Sequence, residues 1–270
     1  MRILRGLFLG CAVLCAAANT IAADKRIALV IGNGSYKKIA PLKNPVNDAD
    51  ALAERLKRLG FAVEVAKDLS YSQLVGALKA FSQKSLEADV RLFFFAGHGV
   101  QAKGRNYLLP VDVDIQSEAE IPARSAEVGE LLERLGDAKR GVSIVILDAC
   151  RVNPFAGNEI VLADGRRMKS RSLGGTGLAR MEAPLGTLLA FSTAPGGVAL
   201  DNPKEKNGLY TKHLLSRIDT AGLPIETLFK RVREDVLNET ERKQRPWEQS
   251  SLTGDHVCLK RDADGKCGSQ

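Results

Sequence analysis

The apolar positions of this chain follow two periods that alternate along its length. Arg26 to Ile31 (RIALVI), Phe61 to Val65 (FAVEV), Val90 to Ala96 (VRLFFFA), Val142 to Leu147 (VSIVIL) and Gly186 to Thr193 are short apolar runs that read as strands. Between them apolar residues recur at helical spacing. One helix is expected from a cap at Asn47 or Asp48 to about Leu59, with Ala49, Ala51, Leu52, Leu56 and Leu59 on its apolar side. Others are expected over Tyr71 to Glu87, Ala126 to Leu135, Gly208 to Thr220 and Pro224 to Asn238. Tyr107 to Val111 reads as part of a hairpin. Strands alternating with helices build βαβ units, so the expected fold class is α/β with a mostly parallel central sheet flanked by helices. The Val90 run is apolar enough to sit mid-sheet. The stretch 151–184 has poor periodicity and many Gly, Arg and Lys residues, and is expected as a long surface loop.

The first residues follow a different pattern. Arg2 and Arg5 precede an apolar run, Leu7 to Ala18, and Ala22 and Ala23 stand just before Asp24. A basic start, a short apolar run and small residues make a secretory signal peptide over 1–23. The run is too short for a transmembrane span, so no stable span is expected, and an uncleaved anchor is the alternative. The expected division is then a signal peptide at 1–23, one domain at 24–257 and a short polar tail at 258–270. The mature chain is expected to be exported, to a periplasm or to the outside of the cell.

Composition is that of an ordinary globular protein: 270 residues, 44% hydrophobic and 26% charged. The net charge of +7 has no long basic block and no nucleic-acid motif beside it, so nucleic acid is not an expected partner. Removing the signal peptide removes Cys11 and Cys15 and leaves Cys150, Cys258 and Cys267. An odd count in an oxidising compartment leaves one thiol over. Cys258 and Cys267 are close together in the tail and are candidate partners, which leaves Cys150 free. Spacing alone does not fix the pairing.

Two strand ends carry reactive residues. Gly97-His98-Gly99 follows the third strand and Asp148-Ala149-Cys150 ends the fourth. Ligands of open α/β sheets sit outside the carboxyl ends of the strands. If these strands are neighbours, His98 and Cys150 share one edge. A thiol next to an imidazole becomes a thiolate nucleophile, and the same imidazole then protonates a departing amine. The Gly99 and Cys150 amides are candidate donors to an oxyanion. Taken singly, a Cys ending a buried strand reads more readily as an inert core thiol. A metal reading of the pair lacks a third and fourth ligand. Gly32-Asn33-Gly34 lacks the third glycine of a dinucleotide loop, and no G-x-S-x-G elbow occurs.

Taken together, FFFAGHG (Phe93 to Gly99) and VILDACR (Val145 to Arg151) resemble the His and Cys motifs of caspase-like peptidases. Caspases place a His about 50 residues upstream of a Gln-Ala-Cys signature. Here Cys150 lies 52 residues after His98, and Asp148 stands where caspases carry the Gln, as in metacaspases and bacterial orthocaspases. The likeness extends to the first strand and its Gly-Asn loop, the Asn47-Asp48 helix start and FSTAPG (Phe191 to Gly196). It implies a caspase–hemoglobinase fold and a cysteine endopeptidase cutting after Arg or Lys, with Asp48 and Asp148 receiving the cationic side chain. Asp48 also suits a first-turn charge, and Asp148 a backbone acceptor. Ala96 departs from the pattern, because metacaspases often carry Ser two residues before the His. The expected partners are proteins or peptides with basic residues, including this chain, whose 151–184 loop carries Arg166, Arg167, Lys169, Arg171 and Arg180. No cofactor is expected. Some metacaspases use calcium, but no loop here is a convincing calcium site. The rival reading keeps the fold as a catalytically weak interaction or regulatory module.

Overall fold

The computed structural model describes residues 24–150, 160–161, 167–168, 177–197, 199–200, 202 and 204–268. The expected signal peptide, Arg166, Lys169 and Arg171 lie outside them.

The chain opens with β1 (Arg26–Gly32), α1 (Pro45–Arg58), β2 (Ala62–Lys67), α2 (Tyr71–Ser85) and β3 (Val90–Ala102). A hairpin strand β4 (Arg105–Leu108), a short helix α3 (Ile121–Arg124), β5 (Ala126–Glu127) and α4 (Val128–Gly136) follow. Next come β6 (Val142–Cys150), β7 (Ile160–Val161), β8 (Arg167–Met168) and β9 (Thr187–Phe191). The chain then forms α5 (Leu209–Arg217), α6 (Ile225–Glu239) and β10 (Trp247–Ser250). The main sheet runs β10-β9-β6-β3-β1-β2, with β4 and β5 attached to the far end of β3. The steps from β9 to β2 are all parallel, and β10 alone on this path runs antiparallel.

The two central strands are buried on both faces, as their continuous hydrophobicity requires. Leu92 and Phe94 of β3 and Ile144 and Ile146 of β6 face the layer of α1, α5 and α6. Phe93, Phe95, Val145 and Leu147 point the other way, toward α2 and α4. A third apolar cluster, including Tyr36, Ile39, Tyr107, Leu109 and Val111, lies under the loops near the carboxyl ends of the strands.

Several features differ from the sequence expectation. Helix α1 begins at Pro45 rather than at a cap on Asn47 or Asp48. Proline suits that first position because it lacks an N–H that would have no partner there. Strand β3 does not stop at Ala96 but continues through Gly97-His98-Gly99 to Ala102, because β4 pairs with its far end. Within the expected 151–184 loop, β7 and β8 pair as a small antiparallel ladder. The tail is stapled by a Cys258–Cys267 disulfide. Among the described residues no helix is long and apolar enough to cross a membrane.

Candidate active site

Strands β3 and β6 are neighbours and run in register from Val90/Val142 to Ala96/Asp148. The register then shifts, and Gly99 pairs with Cys150. The backbones of the His motif and the Cys motif therefore lie side by side at the carboxyl edge of the sheet. A Cβ built on Gly99 would stand 2.8 Å from the Ala149 carbonyl oxygen, so this close approach of two strands needs a glycine.

His98 is buried, at 6% exposure. Its Nε2 lies 2.9 Å from the carbonyl oxygen of Ala40, which can only accept. Nε2 therefore carries a proton, which leaves Nδ1 as the nitrogen that can act as a base when the ring is neutral. The Tyr36 ring packs edge-on against the imidazole with centroids 4.6 Å apart. The other histidines lie elsewhere: His213 of α5 bonds Glu239, and His256 lies beside Gly268 in the tail.

Asp48 and Asp148 are buried at 1% and 3% exposure. Asp48 projects from the first turn of α1, and its Oδ1 accepts the Asn207 side-chain amide and the Gly208 N–H, each at 2.9 Å. Asp148 lies two residues before Cys150 in β6, and its Oδ2 accepts the Thr211 hydroxyl at 2.9 Å. Gly208 caps α5 and Thr211 sits in its first turn, so the α5 N-terminus supplies the positive end of its dipole to both carboxylates. Gly208 also measures how closely they converge. A Cβ built on it would lie 2.9 Å from Asp48 Oδ2 and 3.6 Å from Asp148 Oδ2.

The segment before α5 is held from the start of α1. The Asn44 side-chain amide donates to the carbonyls of Asn202, Glu205 and Lys206 at 3.2, 2.9 and 3.2 Å. Asn44, Asn207, Thr211, Tyr36 and the Ala40 carbonyl all belong to the site and were not singled out from sequence. Among the described residues, no group of three or more His, Cys, Asp or Glu side chains gathers as a metal site.

Residues 25–257 match the family model described as "Caspase domain". The chain belongs to the caspase-domain family. It is 27% identical over 217 residues to the human mucosa-associated lymphoid tissue lymphoma translocation protein 1, and equally to its Mus musculus homolog. Each match takes in 79% of this chain but 24% of the relative, so the chain spans about a quarter of the length of these curated relatives. Membership establishes the caspase-like α/β fold expected from the paired motifs and places the chain in a family of caspase-like cysteine peptidases. In this caspase domain the two expected motifs meet on adjacent central strands, and the two expected carboxylates meet at the foot of α5.

Proposed function

We propose that the chain is a cysteine endopeptidase that cuts peptide bonds after Arg or Lys. Cys150 attacks the scissile carbonyl, and His98 takes its proton and delivers it to the departing amine. The Gly99 and Cys150 amides, on paired strands, hold the oxyanion. The observation that carries the specificity is the convergence of Asp48 and Asp148 on Gly208. A guanidinium or ammonium held by two converging carboxylates donates a charge-assisted hydrogen bond to each. The fixed Nε2–H of His98 supports the dyad, since it directs the basic nitrogen away from Ala40.

The same preference makes the Arg and Lys residues of 151–184 candidate sites of self-cleavage. The 1–23 segment and the paired tail cysteines favour export to a periplasmic or extracellular compartment, where disulfides persist. The reaction as written needs no metal.

The test uses fluorogenic peptides ending in Arg, Lys or Asp, with the intact chain beside Cys150→Ala and His98→Ala. Turnover of the Arg and Lys peptides is expected to fall by about a thousandfold or more in either variant. Equal turnover by wild type and Cys150→Ala would overturn the nucleophile. Preference for the Asp peptide would overturn the acidic pocket. Binding of basic peptides without any turnover would favour the interaction-module reading.

A further inference from the structure

The β3–β6 register advances three residues on β3, from Ala96 to Gly99, against two on β6, from Asp148 to Cys150. One extra residue therefore bulges out at Gly97-His98. A bulge frees backbone groups from the ladder and re-aims a side chain, which demands that something else hold it. Here the holder is a phenol. The His98 N–H donates to Tyr36 Oη at 2.7 Å, and the Tyr36 hydroxyl donates to the Leu109 carbonyl at 3.2 Å. The Leu109 N–H in turn donates to the His98 carbonyl at 3.0 Å. An ordinary antiparallel pair would exchange both bonds directly. At His98/Leu109 one bond is direct and the other passes through the inserted Tyr36 oxygen. Gly97 leaves room for the insertion, since a Cβ there would lie 2.7 Å from Tyr36 Oη.

Tyr36 is 4% exposed and shares a loop with Ala40, whose carbonyl receives the His98 Nε2–H. Asp68 anchors that loop. Its Oδ1 accepts the Gly34 and Ser35 N–H groups at 2.8 Å each, and its Oδ2 accepts the Ser35 hydroxyl at 2.7 Å. Burial alone would raise the Asp68 pKa, but these bonds and the nearby Lys67 hold it below the ordinary value. At neutral pH Asp68 is therefore an acceptor-only carboxylate. The Asn33 side chain ties the same loop to Leu69 and Leu109.

We propose that Tyr36 is a positioning residue for His98, inserted into the β3–β4 ladder to set the backbone from which the imidazole projects, with Asp68 anchoring the loop that carries Tyr36 and Ala40. The catalytic consequence rests on the dyad proposed above, whereas the positioning itself does not. A base that is loosely held loses rate steeply, because small misplacements forfeit the reactive geometry.

The experiment follows the imidazole NMR signals of the intact chain, which holds only three histidines, in wild type, Tyr36→Phe and Asp68→Asn. Solvent exchange of the His98 Nε2 proton is expected to speed up by about tenfold or more in Tyr36→Phe, with a smaller rise in Asp68→Asn. His213 and His256 serve as internal controls and stay unchanged. On an Arg peptide, kcat is expected to fall by about tenfold in Tyr36→Phe while KM stays within about twofold. His98 exchange within about twofold of wild type in both variants would overturn the proposal, whatever the activity. Equal changes at all three histidines in both variants would overturn it too, because the effect would then be global loosening. If the wild type cleaves no basic peptide, the peptidase reading fails alone and the exchange measurement still decides the role of Tyr36.

Discussion

Asp48 and Asp148 bring two buried carboxylates together at one place in the fold. Each accepts hydrogen bonds from neutral donors, and both lie at the N-terminus of α5. Hydrogen-bond donors and a helix N-terminus are surroundings that suit carboxylates. In the proposed pocket a cationic side chain donates charge-assisted hydrogen bonds to both. Replacing one carboxylate by its neutral isostere should therefore cost binding of a cation while leaving the packing in place. Asp148→Asn, measured by kcat/KM, is expected to lose about a hundredfold on Arg and Lys peptides. Its reaction with a small uncharged thiol alkylator should stay near the wild-type rate. An unchanged Arg-to-Asp preference in Asp148→Asn and in Asp48→Asn would remove both residues from the pocket.

At the scale of elements, α1 does more than cover one face of the sheet. Its hydrophobic stripe, including Ala49, Leu52 and Leu56, is plain in the sequence and packs as expected. Its start is not plain, because Asn47 and Asp48 resemble caps. The structure begins the helix at Pro45, and the Asn44 side chain makes no capping bond. That amide instead reaches the 202–206 carbonyls, which sequence periodicity cannot reveal. Asn44→Ala should free the segment leading into Gly208. The expected result is a KM on Arg peptides raised by about tenfold with kcat within about twofold, and faster backbone hydrogen exchange over 204–208. An unchanged KM would show that the segment is held without Asn44. Strand β10 was missed for a related reason. Trp247–Ser250 is a short, half-buried edge strand without a marked alternation, and pairing with β9 is what extends it.

Across the whole molecule, the two ends of the sheet do different work. The candidate site occupies the carboxyl ends of β3 and β6. The stapled tail docks at the opposite end, where Arg26 of β1 donates to the Leu259 carbonyl at 2.6 Å and Gly222 bonds Lys260. Closing a loop with a sequence separation of 9 is worth about 2–3 kcal/mol in the chain-entropy model. Replacing Cys258 and Cys267 with Ser should therefore lower Tm by about 5–10 °C. It should leave kcat on Arg peptides near wild type, whereas a large loss of kcat at a temperature where the variant is folded would tie the tail to the site. Buried Arg91, in the otherwise apolar third run, belongs to the same far end. It is held by the carbonyls of Ser85, Ala88 and Arg140 and by the Ser143 hydroxyl. His98, expected after the third strand, lies inside β3. The alternation of strands and helices, the parallel sheet and the placement of a Cys at the end of a strand were legible because hydrophobic period and glycine punctuation are local signals. The meeting of Asp48 with Asp148, the insertion of Tyr36 and the reach of Asn44 were not. Tyr36 lies 62 residues from His98, and Asn44 lies 161 from Glu205. Such contacts follow from strand register and layer packing, which join residues whose separation along the chain carries no periodic trace.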